Sequence, residues 1–549
     1  MSDQTVETDL SKGWNFAELW ERIAVKFPDA PALVHGDRTI TWQAMDERAN
    51  GLAAALLDAG LGHQDKVALY LYNCPEYMEA SYACYKAGLV PVNTNYRYVE
   101  DELHYLWDNA DAAAVVFHGS FTPLVDKIRP RLGKVRAWLW VDDGEGPCPE
   151  WATPYETAAA PTSTRTFGPV PRSGDDILMI YTGGTTGMPK GVMWRQDDLI
   201  RATCATGNPN FVKDPAEVGG YEAIVDALAV PGAPGMPACP LMHGTGWFVT
   251  NIYLVQGGSV VTLVDRKLNV IEMLDTIERR KVGALTIVGD AFAKPIVAAL
   301  DAEPGRWDLS SLVIVTSSGV MWSEPVKEAM LRHHPGMLLI DVFSSSEAIG
   351  MGQSVSAAGV EVKTARFALG ENARVITDDG TDVVPGSGEK GRVAVRGFTP
   401  IGYYKDPEKS AATFLTIDGK RYSMPGDWAT VDADGTINLL GRGSVCINTA
   451  GEKVFPEEVE EVLKAHPTVY DAVVVGVPDE RFGEAITAVV QPNDGTALDD
   501  AALIAHVKEH LAAYKAPKRI LSVDTIGRAP NAKVDYARWK AYAREQVEA

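Results

Sequence analysis

No apolar run in this 549-residue chain reaches the roughly 18 residues that a membrane-spanning helix needs, so no membrane span is expected. Cysteine is scarce and scattered. Cys74, Cys84, Cys148, Cys204, Cys239 and Cys446 include no CxxC pair, which argues against a zinc site and against a disulfide framework. Positive charge is in deficit: 51 Lys and Arg stand against 73 Asp and Glu. A net charge of −22 repels a phosphate backbone, so nucleic acid is not an expected partner, although small anions read only local charge. The opening MSDQTVETDL lacks the basic segment and apolar core of a secretory signal. These absences together predict a cytoplasmic protein.

What is abundant fits a globular enzyme-sized chain: 46% hydrophobic and 23% charged residues. The length exceeds one ordinary core, so at least two domains are expected. Short apolar runs alternate with amphipathic segments, without internal repeats. Residues 47–60 (ERANGLAAALLDAG) read as a helix closed by Gly60, followed by a strand, KVALYLY, at 66–72. EYMEASYACYKAGLV reads as a helix and AAAVVF at 112–117 as a strand, while LTIVG at 285–289 and LVIVTSS at 312–318 continue the pattern. Such alternation predicts an α/β fold with parallel sheets. The Gly- and Pro-rich stretch 207–240 reads as a long irregular insertion. After about residue 443 the pattern changes. VFPEEVEEVLKAHP opens a helix with Pro456 in its first turn, DAVVVGVPD and AITAVVQP read as strands, and 500–514 is an amphipathic helix. The expected division is 1–443, a large N-terminal domain, and 444–549, a small α+β domain.

The most informative segment is YTGGTTGMPKG at 181–191, which follows the apolar run DILMIY and so sits at a strand end. Gly183 and Gly184 let the backbone turn and approach a ligand closely. Thr182, Thr185 and Thr186 supply hydroxyls and Lys190 a positive charge, a set of donors suited to a polyphosphate. It is not a Walker A loop, because Gly191 stands where GxxxxGK[ST] requires Ser or Thr. The plain alternative is a flexible Gly/Thr loop.

This segment resembles the phosphate-binding signature of the adenylate-forming superfamily: acyl-CoA synthetases, firefly luciferase and the adenylation domains of peptide synthetases. Further segments resemble that family's signatures in the right order: 89–117, PLMHGTGW at 240–247, SSGVM at 317–321, DVFSSSE at 341–347, PGDW at 425–428, Gly441-Arg442 and Asn531-Ala532-Lys533. The series spans nearly the whole chain. The resemblance implies a large domain of α/β layers with a small β-barrel-like part, then a small mobile α+β domain. It implies ATP, Mg²⁺ and coenzyme A as the reactants and cofactor, with a small carboxylic acid as substrate. A homodimer is left open.

Residue by residue, the resemblance implies that Thr182, Gly183, Gly184, Thr185, Thr186 and Lys190 hold phosphate. Ser318, Gly319, Asp341, Phe343, Ser346, Asp427, Arg442 and Asn448 would contact the rest of the nucleotide. Asp427 suits ribose hydroxyls as an ionised acceptor, though a turn Asp after Gly426 is the bland reading. Phe343 would stack on adenine, as an aromatic ring can, and otherwise reads as core. Glu347 would bind Mg²⁺ through hard carboxylate oxygen, or else is a helix first-turn Glu favoured by the macrodipole. Lys533 would act in the first step, where a positive charge offsets charge developing at the α-phosphate. Ser444 falls at the hinge position, and Ala450 and Gly451 on the face that would receive CoA.

His243, Trp247 and Val320 are the acyl-pocket candidates, with ordinary packing an equal alternative for His243 and Trp247. The element 241–248 holds no Asp or Glu, which disfavours amino-acid substrates, whose buried ammonium needs a partner. The combined segments look most like bacterial synthetases for fatty acids and for bulky hydrophobic acids, including steroid side chains. Several positions depart from the family pattern, the usual Tyr-Gly-x-Thr-Glu standing here as Phe343-Ser-Ser-Ser-Glu347. Ser346 replaces the usual Thr, Ala532 the usual Gly, and Ser444 the usual Asp or Lys. Two rivals remain: an acyl-AMP ligase that hands its adenylate to a carrier protein, and a non-catalytic nucleotide-binding protein.

Overall fold

The apolar runs become strands, and the amphipathic segments between them become the helices that cover those strands. The computed structural model describes residues 12–184, 187–320, 322–360, 366–449, 452–479, 483–529 and 532–548. Among them the strands form three sheets, of fifteen, eight and five strands.

The eight-stranded sheet has a parallel centre, in which Ile177–Gly184, Val90–Asn93, Lys66–Tyr70, Ala112–His118 and Ala137–Val141 lie side by side. Buried on both faces, these strands read as continuous apolar runs rather than as alternating ones. The helix Pro75–Ala87 shows why the covering layer is well defined. Proline occupies its first turn, Gly88 closes it at φ 67°, and every residue between is buried.

The large sheet is also parallel through Pro31–His35, Val260–Thr262, Gly235–Pro237, Ala284–Ile287, Ile314–Ser318 and Leu338–Ser345. From there it continues as antiparallel strands, starting with the hairpin partner Ala348–Ser356. These antiparallel strands stand where a barrel-like part was expected, and among the described residues they pair as an open run that ends at Phe414–Ile417. The stretch 207–240 differs from its expected irregularity. It holds the helix Gly220–Asp226 and the strand Gly235–Pro237, which pairs with Ala284–Ile287. The glycine there serves packing, because a Cβ on Gly235 would lie 2.3 Å from the Tyr253 ring. Arg442 ends a strand of the large sheet and Ile447 begins one of the five-stranded sheet, which holds the two long strands Val469–Asp479 and Gly483–Pro492.

Buried charge ties the first helices to the rest of the fold. Arg172, 2% exposed, donates to Glu18 Oε1 at 3.1 Å and Glu21 Oε2 at 2.9 Å, and to the carbonyls of Lys86 and Thr166. Lys86, fully buried, pairs with Glu21 and Asp46 at 2.6 and 2.7 Å. Without Arg172, Glu18 keeps Arg22 and Glu21 keeps Lys86 and Arg165, but the buried oxygens that Arg172 served lose a donor. Arg172→Met is therefore expected to lower unfolding stability by about 1–3 kcal/mol. Urea denaturation checks this, and a loss under about 1 kcal/mol would mean that water reaches the two glutamates.

Candidate active site

A cavity of about 1450 Å³ takes its walls from the eight-stranded sheet, the large sheet and the C-terminal segment. Pockets for one small molecule run to roughly 1,000 Å³, so this one has room for two ligands at once.

At one end stands the hairpin of Ile177–Gly184 and Gly187–Arg195, in which Thr182 lies opposite Lys190. Both line the cavity. Gly183 and Gly184 finish the first strand, while Thr185 and Thr186 lie outside the described residues. Lys190 forms an ion pair with Asp406, and that bond holds the Asp406 carboxyl below the usual carboxylate range. Asn93, which the sequence reading did not single out, braces this end. Its amide accepts from Tyr181 N at 2.6 Å and donates to Tyr181 O at 3.0 Å and Met242 O at 2.6 Å. One buried side chain thus locks the hairpin of Thr182 and Lys190 to the segment that leads into His243.

Glu347 does not begin a helix. Ser346 and Glu347 form the two-residue turn between Leu338–Ser345 and Ala348–Ser356, so the macrodipole reading falls away. Three groups fix the turn: Trp194 Nε1 donates to Ser346 O at 2.9 Å, Ser423 Oγ to Glu347 O at 2.6 Å, and Tyr403 Oη to Glu347 Oε1 at 3.0 Å. Among the described residues the Glu347 carboxylate has no Lys or Arg partner. An oxygen donor on the cavity wall without its own cation fits a hard divalent ion.

Asp341 also lines the cavity, on the strand next to Ser317 and Ser318. It is buried, and burial raises its carboxyl although Lys327 Nζ lies 3.1 Å away. Lys327 carried no signal in the sequence, since a lysine in the helix Glu324–His333 reads as solvated, yet it is 1% exposed. The Phe343 ring packs on Phe367 at 5.5 Å within a core cluster, as the core reading expects, and it also borders the cavity. Ser318, Gly319 and Val320 complete this wall, with Gly319 at φ 93°. Asp427 follows Gly426 (φ 105°), pairs in register with Arg442, and is 5% exposed on the cavity wall. The side chains of Arg442, Ser444 and Asn448, and the residues Ala450 and Gly451, lie outside the described residues.

His243 faces the cavity at the start of the helix Gly244–Val255. Burial, with the charges of Lys533 and Arg97, pushes its pKa down to about 3, so its imidazole is neutral at ordinary pH. Trp247 is a correction. It is fully buried, edge-on to Tyr77 at 5.7 Å, and is not part of the cavity wall. It sits on the helix face that packs into the core, and Phe248, one position on, lines the cavity instead.

Lys533 reaches the same cavity from the C-terminal segment. Its backbone is held in a tight turn: Ala529 N donates to Lys533 O at 3.0 Å, and Ala532 N to Ala529 O at 2.7 Å. Arg528, absent from the sequence reading, anchors that turn. Its guanidinium meets Asp471 through two bonds of 2.6 and 2.7 Å and donates to Ala532 O at 3.1 Å. Burial raises the Asp471 carboxyl, but these bonds outweigh it and hold the group below its ordinary value. Ala532 is a larger departure from glycine than its size suggests. It sits at φ 57°, in the left-handed region, with its methyl fully buried in an apolar cluster of the large domain.

Because Arg528 fixes the turn that presents Lys533 and itself borders the cavity, Arg528→Ala is expected to lower the rate of adenylate formation by about tenfold to a hundredfold. A well-placed cation is worth up to a few kcal/mol at such a site. Arg528→Lys restores one charge without the paired geometry and should recover only part of the loss. Single-turnover adenylation at saturating ATP checks both variants.

A family model described as AMP-binding enzyme matches residues 20–404, and one described as AMP-binding enzyme C-terminal domain matches residues 458–533. A medium/long-chain-fatty-acid–CoA/3-oxocholest-4-en-26-oate–CoA ligase of Mycolicibacterium smegmatis is 41% identical over 539 residues, 97% of each chain. A 3-oxocholest-4-en-26-oate–CoA ligase of Rhodococcus rhodochrous is 39% identical, over 96% of this chain and 95% of that one. Among solved structures, an anthranilate CoA ligase in complex with anthranoyl-AMP superposes with a TM-score of 0.82 over 99% of this chain and all of the other, at 22% identity. With both family models matched in order and relatives aligned end to end, the chain belongs to the AMP-binding enzyme family.

Proposed function

We propose that this protein is an ATP-dependent, AMP-forming acyl-CoA synthetase for hydrophobic carboxylic acids, fatty acids and bulky acids of the steroid side-chain kind. The observation that carries the reading is the meeting of Lys190, Asp427 and Lys533 on one cavity whose wall continues along the apolar helix Gly244–Val255. Two anions have to be brought together there, and cations on both sides lower the cost of doing so. The named substrates of the relatives support the same acid class.

In the first half-reaction a carboxylate oxygen bonds to the α-phosphorus of ATP as the bond to the bridging oxygen breaks and pyrophosphate leaves. Asp427 accepts from the ribose hydroxyls, Asp341 from the adenine amino group, and Phe343 stacks on the base. Lys190 holds the departing phosphates, which draw it from Asp406. Lys533 meets the charge that develops at the α-phosphate, and neutral His243 lets the carboxylate enter beside it. Mg²⁺, held by Glu347 and phosphate oxygens, supplies further neutralisation when bound. In the second half-reaction the CoA sulfur attacks the acyl carbonyl carbon, AMP leaves, and the thiol proton passes to solvent. Rotation of residues 444–549 about Ser444 withdraws Lys533 and presents Ala450 and Gly451 to the pantetheine.

Pyrophosphate release with acetate, octanoate, palmitate, a cinnamate and a steroid side-chain acid, each with and without CoA, tests the function. Hydrophobic acids should give CoA-dependent turnover, since each buried CH₂ adds about 0.8 kcal/mol to binding. Acetate as the best acid defeats the substrate reading. Release that never depends on CoA points to an acyl-AMP ligase. The mechanism makes opposite demands on two residues. Lys533→Ala should abolish adenylate formation yet still convert supplied acyl-adenylate and CoA to thioester. Ser444→Pro, with φ fixed near −65°, should keep adenylation and lose thioester formation. Equal loss of both steps in both folded variants would rule out domain alternation.

A further inference from the structure

The cavity does not stop at the reacting groups. Gly244, at the start of the helix Gly244–Val255, lies close enough to Ser346 that a Cβ on it would sit 3.3 Å from Ser346 Oγ. From that end the helix turns Thr245, Phe248, Val249, Ile252 and Tyr253 to the cavity, and Gln256 continues the stripe one residue past its C-terminus. Spacings of three and four residues define one helical face. At 1.5 Å per residue, the path from Gly244 to Gln256 is about 18 Å long.

At the far end nearly every polar group is already engaged within the protein. Tyr253 Oη bonds Thr286 Oγ1 at 2.7 Å, Thr206 Oγ1 donates to Thr203 O at 2.9 Å, and Ser311 Oγ donates to Val282 O at 3.1 Å. The two cations there are paired as well, Arg201 with Asp197 at 2.8 Å and Lys281 with Asp308 at 2.9 Å. Gln256 stands apart. Its main chain is engaged, N donating to Tyr253 O and O accepting from Gly232 N at 3.0 Å. Its side-chain amide has no hydrogen-bond partner among the described residues, although it lines the cavity. The amide is also given room by a bare backbone, since a Cβ on Gly207 would lie 2.6 Å from Gln256 Nε2.

We propose that Gln256 forms a polar subsite at the distal end of the acyl site, reading a carbonyl or hydroxyl about 18 Å from the carboxylate of an otherwise apolar acid. This rests on the acyl-CoA synthetase reading above and narrows its substrate class to long or rigid acids with a polar terminus. A primary amide both donates and accepts, so it serves either group. A plain alkyl end of the same length strips water from the amide and returns no bond, which sets a preference against it.

Three acids of equal length test the subsite: palmitate, its analogue with a terminal hydroxyl, and its analogue with a ketone at the penultimate carbon. The readout is kcat/KM of each polar-ended acid relative to palmitate in the same enzyme. The wild-type protein should favour both polar-ended acids, and Gln256→Leu should lower both ratios about tenfold. Gln256→Glu, whose carboxylate only accepts, should keep the preference for the hydroxyl and lose that for the ketone. Palmitate turnover in each variant reports on folding. Ratios that do not move in either variant, while palmitate is turned over, overturn the subsite and leave the synthetase standing. No CoA-dependent turnover of any acid by the wild-type protein overturns both.

Discussion

Positive charge has to be gathered at one end of one cavity in a chain whose overall balance is −22. Two like charges about 4 Å apart still repel by about 4 kcal/mol at an effective dielectric of 20, and ATP brings several to meet a carboxylate. The arrangement of ionised groups follows from that need. Lys190 and Lys533 come to the cavity from opposite directions, one on a hairpin and the other on the C-terminal segment. Among the described residues Glu347 keeps its carboxylate clear of lysine and arginine, while several buried acids are bound to cations of their own. Glu18 and Glu21 meet Arg172, Glu79 meets Arg48, and Asp341 meets Lys327. Part of the buried negative charge is therefore neutralised within the fold.

Supplying the second cation from a separate segment has a structural consequence. In the domain alternation proposed above, Lys533 has to be held firmly when present and still be able to leave. Firmness comes from within its own domain, through the two Arg528–Asp471 bonds that shape the turn. Contacts with the large domain include the buried Ala532 methyl, Lys294 Nζ donating to Tyr470 O at 2.8 Å, and Phe455 against the Trp428 ring at 6.2 Å. Burying one methyl is worth about 0.8 kcal/mol, and an alanine in the left-handed region gives up roughly 1–2 kcal/mol, so the Ala532 contact by itself adds little to the docking.

Much of this was legible in the sequence because strands and signature loops are local. The runs at 66–72, 112–117 and 312–318 became strands, and Tyr181 to Lys190 fell at a strand end, because burial on both faces of a parallel sheet writes itself as an unbroken apolar run. The residues that escaped notice act across long sequence distances. Asn93 bonds residues 88 and 149 positions away, and Arg528 meets Asp471 across 57. Lys327 resembles any lysine on a surface helix until the fold closes over it. Trp247 was left between lining and packing for a related reason: the motif marks the helix, but only packing against Tyr77 decides which side of it meets the core. The 207–240 stretch misled because glycine and proline were read as loop formers, whereas Gly235 is there to admit the Tyr253 ring.

The two ends of the cavity are consequently built on different principles. At the end proposed for the nucleotide, strand register and hydrogen bonds fix the groups, so a change of one residue disturbs a position shared with several partners: Trp194 holds Ser346, and Ser423 and Tyr403 hold Glu347. At the acyl end the wall is one helix face of side chains opposed by glycines and small residues, among them Gly283 and Ala284. Exchanging Ile252 or Val249 there alters volume without unpairing any polar group, and volume changes of that kind cost little where the wall borders open space. The chemistry is thereby held constant while the acid it serves can be altered one residue at a time. That separation depends on the helix Gly244–Val255, whose first turn faces Ser346 and whose last residues reach Gln256.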